Sequence, residues 1–322
     1  MASSKRHLTA AVLAFFTWAL CARTAAVEFA GGTGEPNDPY LIATAEQFLT
    51  ADFTVPETYF RLCNDIDLDR KAGPLTYFRA HLDGAGFEIR NAISSRAGVF
   101  GGVMAGASIR NLVVADVDVV TTALPDYPGS MLAAGGFAAE NFGIIENCGV
   151  TGVVVTWRVG TVGGFVGGNA GAIINCYFDG WVIAPWEDKV EGDELESAYV
   201  GGLVSVNGEN GLIANSLAWA TVLGNRGVGG LVGRNAGTIR NCYARGPVVG
   251  QVGAGGLVSE NTGHLQTCYA ASLVTGEMRG GLVSLAGGGI LGSVSNCVWD
   301  WTDTDCHWSG AGIGVHGIRG GG

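Results

Sequence analysis

GGLVGRNAGTIRNCYARGPVVG, residues 229–250, is the stretch from which the fold can be read. Two adjacent glycines precede Leu231-Val232, a short strand. Asn235-Ala236-Gly237 has the composition of a turn. Ile239 then sits on a second short strand, and Asn241 marks a corner. Cys242, Ala244, Gly246 and Val248 fall at every second position, which is one face of an extended strand. A unit this small cannot bury a core alone. Stacked copies, each adding about 4.8 Å, bury a shared one.

The unit recurs. Gly-Gly followed by an apolar residue begins at Gly101, Gly135, Gly163, Gly201, Gly229, Gly255 and Gly280, at intervals of 34, 28, 38, 28, 26 and 25 residues. A second landmark follows each pair: Asn111, Asn147, Asn175, Asn215, Asn241, Thr267 and Asn296. It lies 12 residues after the first glycine in four repeats, and 10, 14 and 16 in the others. Two landmarks moving in step mark internal repetition. The next column, Leu112, Cys148, Cys176, Ser216, Cys242, Cys268 and Cys297, is apolar or small. So is the column Ile109, Ile145, Ile173, Ile213, Ile239, Leu265 and Val294. Both are assigned inward. Tyr177, Tyr243 and Tyr269, one residue beyond the cysteine column, are assigned outward, as are Trp181 and Trp219 at odd offsets.

The repeat resembles the GLUG motif of bacterial surface and secreted proteins. Phe29-Ala30-Gly31-Gly32 with Pro39-Tyr40-Leu41-Ile42, Asn64-Asp65-Ile66-Asp67-Leu68 and Leu82-Asp83-Gly84-Ala85-Gly86 extend the likeness to roughly residues 29–305. Ser216 for Cys, Thr267 for Asn and the irregular spacing around Gly287-Gly288-Gly289 depart from it. The resemblance implies a right-handed parallel β-helix and an adhesin-like or passenger-like role.

Composition agrees with an all-β solenoid. Of 322 residues, 54 are Gly and 8 are Pro, with 48% hydrophobic and 15% charged. Disorder requires the reverse balance, and glycine does not recur every third residue as in collagen. Lys5, Arg6 and His7, the apolar run Ala10 to Leu20 and the small residues Thr24-Ala25-Ala26 read as an export signal over 1–26. Cys21 offers a lipoprotein alternative, though Leu20 fits that processing poorly. No later segment is long and apolar enough for a membrane helix. Beyond residue 26 the charge is 15 basic against 29 acidic residues, or −14. Such a surface repels phosphate backbones and argues against nucleic acid as a partner.

The expected organisation is a signal at 1–26, an N-terminal cap at 27–57, a solenoid at 58–300 and a C-terminal tail at 301–322. Thr44-Ala45-Glu46-Gln47 before Phe48-Leu49 fits a capping box, so a short helix should cover the first coil. Pro185 to Ser197, with six acids against Lys189, reads as an acidic loop leaving the solenoid. It could hold calcium through oxygen ligands or stay a solvated charged loop, and no other cofactor is implied.

No zinc-peptidase H-E-x-x-H, nucleophile elbow or P-loop occurs. Asp65, Asp67 and Asp69 alternate with Ile66 and Leu68, so they read as the solvated face of a strand before they read as catalytic carboxylates. No catalytic, cofactor or metal residue is assigned. Cysteines on adjacent coils come within disulfide range or pack as free thiols. Tyr177, Trp181, Trp219, Tyr243 and Tyr269 could stack on sugars or cover neighbouring coils. The expected function is a non-catalytic, exported surface or matrix protein presenting a β face for adhesion or assembly, to an extracellular glycan or a cell-surface protein. The alternative is a carbohydrate-binding or polysaccharide-cleaving β-helix. A third reading is a segment of a longer autotransporter-like chain.

Overall fold

A computed structural model describes residues 28–74, 77–95, 98–121, 133–157, 161–185, 199–284, 292–300 and 316–318. The export signal, all of the acidic loop but Pro185, Gly287-Gly288-Gly289 and most of the C-terminal tail lie outside the described residues. The chain winds into four parallel sheets of 6, 7, 10 and 13 strands. One coil contributes a strand to each. In the coil read above these are Val228–Gly229, Val232–Asn235, Thr238–Arg240, and the pair Tyr243–Arg245 and Val248–Gly250. Their sheets are called here the glycine, asparagine, isoleucine and long-strand sheets. The architecture is a parallel β-helix.

The glycine pairs show why the coil repeats. Gly135, Gly163, Gly201, Gly229, Gly255 and Gly280 are register partners on successive coils. A Cβ on the first glycine, Gly229, would collide with the carbonyl oxygen of Val232 in its own coil. A Cβ on the second, Gly230, would collide with the carbonyl of Gly256 in the next coil. One glycine is required by the turn and the other by stacking. The residue after each pair points inward: Phe137, Phe165, Leu203, Leu231, Leu257 and Leu282 are all fully buried. The stack extends through Phe100 and Phe78, with ring centroids 4.8–5.5 Å apart.

The first doublet is out of phase. Phe100 and Gly102 pair with Ala138 and Glu140, so Gly101-Gly102 belongs to the asparagine sheet. Gly98 alone makes the close approach there, against the carbonyl of Gly135, at a φ of 123°. A single glycine suffices at that coil, and counting doublets passes over it. The 14-residue spacing from Gly201 to Asn215 has another cause. Asn207 and Leu212 pair with Asn169 and Ala172, so this coil's turn carries two extra residues.

The helix forms where the capping box sits. Helix α1, Ala45–Thr50, is capped by Thr44, whose hydroxyl accepts from the Gln47 N–H while the Gln47 side chain accepts from the Thr44 N–H. Its Phe48 is fully buried and meets Phe53 and Phe100 at 5.6 and 6.1 Å. The helix is inserted between the first two strands of the isoleucine sheet, Tyr40–Ile42 and Tyr59–Leu62. The coil therefore begins at Tyr40, inside the stretch read from sequence as a cap.

Candidate binding face

The corner between the isoleucine and long-strand sheets sets the site's geometry. Asn147, Asn175, Asn215 and Asn241 all adopt left-handed backbone, with φ between 51° and 54°. Asparagine tolerates this region better than other side-bearing residues, which explains the landmark column. Asn147 donates to Asn111, Asn175 to Asn147 and Asn241 to Asn215, at 3.0–3.2 Å, along the exposed edge. Thr267 takes the same conformation, φ 53°, without the amide.

The cysteines follow that corner into the interior. Cys148, Cys176, Cys242 and Cys268 are buried free thiols. Each donates to the carbonyl two residues earlier, at 3.2–3.3 Å. Ser216 makes the same bond at 2.8 Å, so the column accepts a small X–H group at that carbonyl. Burial holds the Cys148 thiol well above the ordinary range. The bond shared with Cys242 is the main reason the Cys268 thiol is pushed up to about 12. The Cys148 and Cys268 thiols therefore stay protonated at neutral pH.

A second amide ladder lies inside the coil and was missed from sequence. Asn141 donates to Asn169, Asn169 to Asn207, Asn207 to Asn235 and Asn235 to Asn261, at 2.7–2.8 Å. All five are buried. It runs toward the C-terminus, opposite to the exposed ladder. Its signal was present, since each of these residues follows the first glycine of its pair by six positions.

The two ladders fix the corners, and between corners the long-strand sheet turns a broad face outward. The strands Tyr177–Ile183 and Leu217–Gly224 are in continuous register, with Tyr177, Asp179 and Trp181 opposite Leu217, Trp219 and Thr221. Trp181 and Trp219 are 51% and 55% exposed. Val120, Trp157, Leu217 and Leu273 are the other exposed large apolar side chains on or bordering this sheet. Tyr243 and Tyr269 are partly buried and stack on one another at 5.3 Å and 16°. The Arg245 guanidinium lies over the Trp219 ring at 5.1 Å. Tyr177 leans across Gly149 on the preceding coil, and its phenol is raised by burial and by the nearby Glu88 and Asp179 carboxylates. Of the five aromatics singled out from sequence, Tyr177, Tyr243, Tyr269 and Trp219 thus each spend a ring face on a neighbouring coil, and Trp181 makes no such ring contact among the described residues.

The early carboxylates are engaged rather than convergent. Asp65 accepts from the Glu88 N–H and pairs with Arg90 at 2.9 Å. Asp67 accepts from Asn91 and the Asp69 N–H, which lower its pKa. Away from this face, Tyr199 donates to Glu260 at 2.7 Å, and Arg234 pairs with the same carboxylate at 3.3 Å. Among the described residues no group of three or more His, Cys, Asp or Glu side chains is placed to hold a metal ion. Nor is any helix there long and apolar enough to cross a membrane.

Known proteins share this build. The GLUG motif matches residues 159–183 and 224–249. A protein of Evansella cellulosilytica, named as a Gly-rich membrane protein, is 33% identical over 139 residues, covering 38% of this chain. The chain spans only 15% of that relative's length. The crystal structure of a Bacteroides ovatus protein, described as an immunoglobulin A1 protease, superposes with a TM-score of 0.53 at 20% identity. That match covers 90% of this chain and 86% of the other. A second structure, called IgA1 protease, gives 0.53 at 17% identity, over 86% of this chain and 21% of its own. At such identities these structures establish the fold and no activity. The chain thus carries the GLUG motif on two coils of one continuous ladder and is built as a parallel β-helix.

Proposed function

We propose that the chain is an exported, non-catalytic surface or matrix protein that offers the outward face of its long-strand sheet for adhesion or assembly. One observation carries this reading. Six of the eleven exposed large apolar side chains among the described residues, the two most exposed tryptophans included, lie on or beside that face, and such a grouping marks a contact surface. A coil of stacked strands makes the face flat and stiff, so a partner meets it without an ordering cost on this side. The engaged state of Asp65 and Asp67 supports a scaffold over a polysaccharide-cleaving site. The relative named as a membrane protein agrees with an exported setting. An extracellular glycan or a cell-surface protein remains the partner class.

The test passes the chain from residue 27 onward over printed neutral and acidic glycans and over a coat of itself, beside the double variant Trp181→Ser/Trp219→Ser. Retention on either surface that the variant loses supports the proposal. Retention that the variant keeps, retention by neither surface, or release of new reducing ends from polysaccharides overturns it.

A further inference from the structure

We propose that the long-strand face pairs with the same face of a second copy, through a two-fold axis over Trp219. This rests on the contact-face reading above and names its occupant. Among the described residues from Gly149 to Thr275, the outward strand positions of five successive coils carry only two charges, Asp179 and Arg245. They are register neighbours of Trp219 on either side, Asp179 one coil before it and Arg245 one coil after. Asp179 has no ion-pair partner among the described residues, and Arg245 rests on the Trp219 ring, an exposed contact it can leave.

A two-fold axis parallel to the strands and lying over the Trp219 coil reverses the order of coils. It sets Asp179 against the partner's Arg245, and Arg245 against the partner's Asp179. Leu217 and Trp219 meet their own copies. Gly149, whose outward side its own Tyr177 ring covers, presents that ring to the partner's Tyr269. No like charges are opposed over these five coils, and the pattern is self-complementary, as an isologous interface requires. Strands of about 25 Å across coils spanning about 24 Å give roughly 600 Å² of flat area per partner. Side chains standing off the sheet raise this toward the ~800 Å² per partner of a stable interface. A sugar chain would cover only a strip of it. The mutual stack of Tyr243 and Tyr269 and the Arg245–Trp219 contact also leave few ring faces for sugars. Two sheets packed face to face use ring edges and aliphatic groups.

Sedimentation of the chain from residue 27 onward, across a concentration series, tests the pairing. The expected result is a monomer–dimer equilibrium. Asp179→Arg or Arg245→Asp alone places like charges together twice and should weaken dimerisation roughly tenfold or more. The combined swap, Asp179→Arg with Arg245→Asp, should restore it. Circular dichroism and thermal melting confirm that each variant is folded. A monomer at all concentrations, or a dimer indifferent to the single reversals, overturns the proposal. So does a failure of the double swap to recover pairing in a folded protein. Glycan retention by a monomeric chain, lost in the tryptophan variant, would sink self-pairing while leaving the contact-face reading intact.

Discussion

Replacing Asn207 by alanine probes the buried amide ladder where it is most constrained. The Asn207 amide donates to Asn235 Oδ1 at 2.8 Å and accepts from Asn169 Nδ2 at 2.8 Å. It also donates to the Gly211 carbonyl at 3.2 Å. After truncation Asn169 keeps the carbonyls of Gly171 and Leu212 as acceptors, at 3.3 and 3.4 Å, and the Gly211 carbonyl keeps the Thr238 N–H. The Asn235 oxygen alone is orphaned. A buried unsatisfied acceptor costs about 1–3 kcal/mol, and the lost hydrogen bonds and vacated volume add about 1 more. We expect a loss of about 3 kcal/mol. Asn147→Ala is the control. It removes two amide bonds of similar length, but these face water and contribute little, so its cost is chiefly about 1 kcal/mol for alanine in left-handed backbone. Urea unfolding of both variants, followed by circular dichroism and compared at matched slope, measures the difference. Equal losses would refute the view that burial, and not bond length, decides the ladder's worth.

Further expectations follow from neighbouring columns. Thr267→Asn should stabilise by about 1 kcal/mol, because a β-branched residue at φ 53° is strained and asparagine is not; thermal melting reads it, and a lower Tm would contradict the corner argument. Gly230→Ala should cost at least about 3 kcal/mol, since the added Cβ meets the next coil's backbone and cannot be relieved by a rotamer change; an unaltered unfolding midpoint would show the coils are more loosely stacked than described. Thiol labelling at pH 8 should modify exposed Cys63 quickly and Cys148, Cys176, Cys242 and Cys268 only on unfolding, while Cys242→Ala costs on the order of 1 kcal/mol; rapid labelling of all five would reverse inside and outside. Burial, then the bond to Glu260, raises the Tyr199 phenol from 10.0 to about 12. A raised folded pKa means the unfolded chain deprotonates first, so this contribution is complete below pH 10 and is lost as pH rises toward 12. Tyr199→Phe should therefore flatten the alkaline fall in melting temperature over that window, and an unchanged profile would place the fall elsewhere.

Much of the fold was legible because a solenoid repeats its own constraints. Glycine doublets, asparagine corners and the cysteine and isoleucine columns each report one backbone requirement, repeated coil after coil. The capping box at Thr44 was legible for a similar reason, since its bonds close within four residues. Errors came where one coil satisfied the constraint differently. Gly98 is a single glycine where later coils have a doublet, and Gly101-Gly102 lies on the next sheet. The inner ladder was passed over because asparagine in a strand-end turn already has a local explanation.

Repetition, the inward-pointing columns and the Gly-Gly pair that begins each coil from Gly135 onward are legible in the amino-acid order, because they follow from sterics within one turn and its neighbour. The folded coil was needed to show that Asn141 to Asn261 form a buried, continuous amide chain and that Tyr243 and Tyr269 spend their faces on each other. It alone set Asp179 and Arg245 on either side of Trp219. Those relations join residues 26–40 apart in the chain, and they depend on register between coils, which turn lengths set and spacing alone does not reveal.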